Sequence, residues 1–114
     1  MLGEFEYLLI TVAAGLEDRA YGAAIREEIE STTGRRCSMG ALYTTIDRLE
    51  EKGLVKTWMG EATPQRGGRA KRMVRVTPEG VKAAKDFYDV VVGVSRGASW
   101  AMNLTAMNKK GSST

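Results

Sequence analysis

The chain has 114 residues, a formal net charge of +3, one cysteine and no histidine. That length supports one domain with a modest core. Without histidine, the commonest general base and metal ligand are missing, and a single cysteine excludes an intrachain disulfide and a cysteine-rich zinc site. An enzyme is therefore not expected, and neither is a metal or a cofactor. No apolar run approaches the roughly 20 residues of a membrane span, and Met1-Leu2-Gly3-Glu4 has no basic leader character. The expectation is a cytoplasmic protein with no membrane partner.

The charge is unevenly spread. Residues 1–34 carry two Arg against seven Asp or Glu, a net −5, whereas residues 35–76 carry ten Lys or Arg against four acids, a net +6. An acidic first third followed by a basic middle is the electrostatic footprint of a protein that meets a polyanion.

In chain order, Phe5, Leu8, Leu9, Val12 and Leu16 predict a helix over 4–15 with one apolar stripe. Tyr7, Ile10, Thr11 and Ala14 make a second, weaker one. In so small a domain that second face is expected to meet another chain, with Tyr7 and Ile10 in a dimer interface. Glu17-Asp18 are expected to cap a helix over 21–33. That helix would turn Tyr21, Ile25 and Ile29 inward and Arg26, Glu27 and Glu30 to water, with Gly34 as its stop. Arg35-Arg36-Cys37 reads as a short strand. Ser38 is a good N-cap for a helix over 39–52 that buries Leu42, Ile46 and Leu49 and stops at Gly53.

Val55–Met59 is rich in strand formers. Gly60–Ala70 is a turn region with Pro64, Gly67 and Gly68, and residues 71–76 alternate charged and apolar. Two strands and a long basic tip form a hairpin. Thr77-Pro78-Glu79 opens another helix. Along it Val81, Ala84, Tyr88, Val91, Ser95, Ala98 and Met102 recur at alternating spacings of 3 and 4, a heptad seam suited to a dimer. Gly93 and Gly97 weaken that helix by about 1 kcal/mol each relative to Ala.

The expected architecture is mainly α with a small β-hairpin wing. Residues 1–76 would form a winged helix-turn-helix, 77–103 a long C-terminal dimerisation helix and 104–114 a disordered tail. Such a fold places one helix in a major groove about 12 Å wide. The helix over 39–52 suits that role, with Gly40, Ala41, Thr44, Thr45 and Arg48 opposite its apolar face and Ser38 and Tyr43 able to donate to phosphate oxygens. In the hairpin, Arg66, Gly67, Gly68, Arg69 and Lys71 form a flexible basic tip able to track a backbone or enter a minor groove. The alternative is a winged-helix module that binds protein rather than double-stranded DNA.

The run Ser38–Val55 closely resembles the recognition-helix signature S-P-G-T-L-Y-P-x-L-x-R-L-E-x-x-G-L-I of the PadR family of bacterial transcriptional regulators. Tyr21-Gly22-Ala23-Ala24-Ile25 resembles that family's H-G-Y-E-I motif, and Arg72–Gly80 its Y-x-L-T-x-x-G stretch. The sequence departs from the pattern at Met39 and Thr44, where the family has prolines, at Tyr21 in place of His and at Ala24 in place of Glu. The resemblance implies a homodimeric repressor of a palindromic operator. It carries DNA contacts onto Ser38, Gly40, Ala41, Tyr43, Thr44 and the Arg66–Lys71 stretch. It also implies that an aromatic effector could sit at the dimer interface near Trp100, although a tryptophan there is more often a packing anchor. Trp58, on a wing strand, is expected to pack.

Overall fold

The computed structural model describes residues 1–60 and 70–100. The first helix, α1 (Glu4–Leu16), starts behind Gly3, whose N–H donates to Glu6 Oε1 at 2.9 Å. Leu9, Ile10 and Ala13 are its buried face, and Phe5, Leu8 and Val12 are half-buried. Ile10 is 1% exposed within the single chain, so it belongs to the core and is removed from the expected dimer interface. The rest of the second apolar face is not covered in the same way: Thr11 and Ala14 are exposed, and only Ile10 joins the buried set of Leu9 and Ala13. Tyr7 is half-buried.

Glu17–Arg19 form a tight 3-10 turn instead of a cap, and Glu17 has a φ of 53°. The second helix, α2 (Gly22–Thr33), begins behind Tyr21 without a side-chain cap and ends at Gly34, whose φ of 72° lies in the left-handed region that glycine tolerates. Its polar face is not simply solvated. Arg26 Nε donates to the Cys37 carbonyl at 2.6 Å, and Glu30 Oε2 accepts from the Cys37 N–H at 2.8 Å. These bonds consume the backbone groups of Cys37, so residues 35–37 form no strand. They set the chain path into the next helix instead. The Cys37 thiol is buried, and burial together with the neighbouring Glu30 carboxylate raises its pKa, with Arg26 opposing.

The third helix, α3 (Met39–Glu51), is capped by Ser38, whose Oγ accepts from the Ala41 N–H at 3.1 Å. Leu42, Ile46 and Leu49 are fully buried beneath it. Gly53, with a φ of 76°, reverses the chain into β1 (Val55–Met59). That strand pairs antiparallel with β2 (Arg72–Val76), in a register from Val55 opposite Val76 to Met59 opposite Arg72. A bridge from Tyr21 to Met73, with the Val74 N–H donating to the Ala20 carbonyl at 2.8 Å, ties the start of α2 to the hairpin.

Thr77 Oγ1 donates to the Gly53 carbonyl at 2.8 Å and accepts from the Gly80 N–H at 3.0 Å, so one hydroxyl joins the α3 exit to the start of α4 (Pro78–Ser95). This last helix is shorter than the seam suggests. The Gly97 N–H reaches back only to Val94 and the Ala98 N–H to Ser95, a tightened final turn in which Gly97 no longer continues the helix. Ala98 therefore lies beyond α4, and Met102 and residues 104–114 fall outside the described residues. The chain divides into a compact unit of Met1–Ala84 and a second of Lys85–Thr114, so the opening turns of α4 go with the winged-helix part. No described helix is long and apolar enough to cross a membrane.

Glu6 fastens α1 to α3. Its Oε2 accepts from Lys52 Nζ at 2.9 Å. Burial opposes its ionisation, but the hydrogen bond from Gly3, the Lys52 ammonium and the charge of Arg48 prevail and hold its pKa below the usual value of 4.5. A carboxylate whose pKa is depressed on folding stabilises the fold above its unfolded value, and that contribution disappears as pH falls through the folded value. Glu6→Gln is expected to cost about 1 kcal/mol at neutral pH, with the difference from wild type closing as the pH falls through the depressed folded value. Denaturant titrations at neutral and acidic pH check this.

Candidate nucleic-acid interface

On α3 the exposed residues include Gly40, Ala41, Thr44, Asp47 and Arg48, and Ser38 is exposed at its cap. Thr45 is not among them. It is 7% exposed, and its Oγ1 donates to the Ala41 carbonyl at 2.8 Å. The reason is angular: Leu42, Thr45, Ile46 and Leu49 fall at i, i+3, i+4 and i+7, so Thr45 shares the buried arc. Thr45 is accordingly removed from the candidate contacts. The remaining exposed edge at the helix start is narrow, because glycine, alanine and threonine let the backbone itself approach a partner.

One flank of this edge is built where α2, α3 and β2 meet. A Cβ added at Gly22 would lie 2.7 Å from the Tyr43 hydroxyl, so only glycine at the start of α2 lets the Tyr43 ring rest there. Lys71 Nζ stands 4.2 Å from the centroid of the Tyr21 ring, and the Arg72 guanidinium 5.8 Å from that of Tyr43. Two tyrosines and two cations thus line the side of α3 that faces the hairpin. The positive end of α2 opens at the same place.

Arg72 is the most constrained cation of this group. Its Nη2 lies 2.7 Å from Asp47 Oδ1, 3.6 Å from Glu50 Oε1 and 3.4 Å from Thr57 Oγ1. Glu50 Oε2 in turn accepts from the Thr57 N–H and hydroxyl at 3.1 and 2.6 Å. In the sequence Arg72 stands out only as one charged position in the alternating run of residues 71–76. Strand alternation could have placed it, since Arg72 shares a face of β2 with the buried Val74 and so turns toward α3. Arg75, on the other face, lies 5.4 Å from the Trp58 ring, which is itself 44% exposed.

On the opposite flank, Arg48 is exposed and its charge acts on Glu6 of α1. The candidate cations therefore bracket α3, with Lys71 toward the hairpin and Arg48 toward α1. Arg66, Gly67, Gly68 and Arg69 lie outside the described residues. Trp100 is described and is 62% exposed. Among the described residues, no group of three or more acids and cysteines is arranged to hold a metal ion.

None of the curated proteins compared matches the chain. Several solved structures do. RosR of H. salinarum is 26% identical with a TM-score of 0.64, over 99% of this chain and 96% of that one. A PadR family transcription regulator from Clostridium difficile is 25% identical with a TM-score of 0.59, over 91% and 99%. A PadR-like transcription factor from Bacteroides fragilis, 20% identical over 92% and 87% with a TM-score of 0.62, shares the fold. The family model for PadR-like transcriptional regulators matches residues 12–86, a span that takes in α2, α3, the hairpin and the start of α4. With its winged-helix fold and that match, the chain belongs to the PadR-like family of DNA-binding transcriptional regulators.

Proposed function

We propose that the chain is a homodimeric repressor that acts in the cytoplasm and binds a palindromic operator. The N-terminal half of α3 enters the major groove, with Gly40, Ala41 and Thr44 against base edges and Ser38 capping the entering end. Tyr43 and Lys71 hold the phosphate backbone on the hairpin side and Arg48 reaches it on the α1 side. The wing tip, Arg66 to Arg69, follows the backbone or the minor groove. One observation carries this reading: the slim, exposed edge of α3 is bordered by Tyr43 and Lys71 on an otherwise basic segment. A protein-binding module would want an apolar α3 surface there, and this edge is small, polar and flanked by cations.

The dimer part of the proposal rests on α4. Val81, Tyr88, Val90, Val91 and Val94 are all exposed in the single chain, and apolar residues at this density on one helix call for a partner surface. Two copies related by a two-fold axis would present two α3 helices to the two halves of a palindrome. Ala84 and Ser95, both half-buried, complete the seam on α4. An aromatic effector at that interface would stack on the exposed Trp100.

The test is DNA binding at graded salt. Lys71→Ala should weaken binding to operator and to unrelated duplex alike and lower the salt slope by about one unit per protomer. Equal affinity of wild type and variant across the salt range would remove Lys71 from the interface. No binding of wild type to any duplex at low salt would leave the protein-module reading in its place.

A further inference from the structure

We infer that Arg72 is a latched cation, withheld from DNA by Asp47 and Glu50, and that this latch sets how strongly the protein binds DNA without regard to sequence. The inference rests on the DNA-binding reading above and names a specificity-determining cluster within it. Arg72 lies next to Lys71 at the root of the wing, and Asp47 lies on the exposed side of α3, one turn below Tyr43 and beside Arg48. A guanidinium in this place is a natural phosphate ligand, because its planar fork matches the oxygens of a phosphate as it does those of a carboxylate. Here that fork is already occupied by Asp47 at 2.7 Å and Glu50 at 3.6 Å.

The exposures decide how the latch works. The Arg72 side chain is 22% exposed, while those of Asp47 and Glu50 are 65% and 43% exposed. The cation is the sheltered partner, and the carboxylates are the water-facing ones. They stand between the guanidinium and any polyanion approaching α3, in the position a phosphate would take. Glu50 is itself held by the Thr57 N–H and hydroxyl, so the acceptor side of the latch is fixed to β1. DNA can recruit Arg72 only by displacing Asp47. A well-fitted operator supplies contacts from α3 that make this displacement favourable, whereas a random duplex does not. The carboxylates therefore suppress indiscriminate backbone binding more than operator binding, a repulsive element working in favour of specificity.

The experiment is a double-mutant cycle. The acidic side is changed by Asp47→Asn with Glu50→Gln, which keeps oxygen acceptors for Thr57, and the basic side by Arg72→Gln or Arg72→Met, the second keeping the packed stem. Affinity for a random-sequence duplex and for the selected operator is measured for each protein at several salt concentrations, and folding is checked by thermal melting. In the wild-type background, the acidic changes should tighten random-duplex binding roughly tenfold near 0.1 M salt and steepen the salt slope by about one unit. Operator affinity should rise less, so the ratio between the two narrows. In either Arg72 background most of that gain should vanish.

Several outcomes would overturn the inference. An equal gain with and without Arg72 would mean that the carboxylates only repel phosphate and hold nothing back. No gain in the wild-type background would mean that Arg72 stays bound to the hairpin and never reaches DNA. If the wild-type protein itself binds no duplex at low salt, the DNA reading falls and the latch falls with it. Binding by wild type combined with a flat cycle removes the latch alone.

Discussion

Gly80→Ala is expected to destabilise the winged-helix unit by about 2 to 3 kcal/mol and to lower its denaturant midpoint markedly. A Cβ at this position would lie 2.1 Å from the Leu54 carbonyl oxygen and 2.8 Å from Val76 Cγ1. Neither neighbour can step aside cheaply. The Leu54 carbonyl accepts from the Thr77 N–H at 3.0 Å, and the Leu54 N–H is bonded to Leu49 at 2.9 Å, so moving it disturbs the α3 exit. Gly80 is also one of the two hydrogen-bond partners of the buried Thr77 hydroxyl. Against this, alanine gains about 1 kcal/mol of helix propensity over glycine, which is too little to reverse the sign. Gly93 is the internal control, because a Cβ there meets nothing within 4 Å. Gly93→Ala should leave stability unchanged or raise it by up to about 1 kcal/mol. Urea titrations of both variants separate the cases, and a Gly80→Ala protein as stable as wild type would show that α4 does not seat against Leu54 as described.

This close approach marks where sequence reasoning runs out. The α3 boundaries were legible because each is set by one local chemical event: a serine hydroxyl accepting from Ala41 at one end and a positive-φ glycine at Gly53 at the other. The hairpin was legible because two β-rich runs flank a turn. Features that depend on a second element were not. Ile10 looked like surplus apolar surface until its own chain covered it. Thr45 is the exception, since the phase of α3 alone sets it beside Leu42 and Leu49 and only its hydroxyl suggests a polar contact. Arg26 and Glu30 had the spacing of a solvated pair, yet both are spent on the backbone of Cys37. The end of α4 at Ser95 is a milder case: Gly93 and Gly97 gave the warning, but a heptad that continues past them concealed where the hydrogen bonds tighten. Arg72 is the instructive one for the site. Its charge was visible and its face was deducible, but that two acids of α3 would meet it depends on how the hairpin leans on that helix.

Val91→Glu is expected to have the largest functional effect of any single change on α4: loss of the dimer, and with it a fall in operator affinity of about two to four orders of magnitude, since the second half-site then no longer benefits from tethering. Val91 is 45% exposed in the single chain, so a glutamate there meets water in the monomer and should leave its helix content and melting largely intact. In a symmetric dimer the same side chain occurs twice in one interface, and burying an uncompensated charge costs about 3 to 5 kcal/mol. The two states thus respond oppositely to one substitution, which makes the variant informative. Sedimentation at micromolar concentration should give a monomer for Val91→Glu and a dimer for wild type, and random-duplex binding per protomer should change far less than operator binding. A variant that still sediments as a dimer would place the contact elsewhere than the Val81–Ser95 seam. A monomer that kept full operator affinity would separate DNA recognition from dimerisation, and the two-half-site geometry would then have to be abandoned.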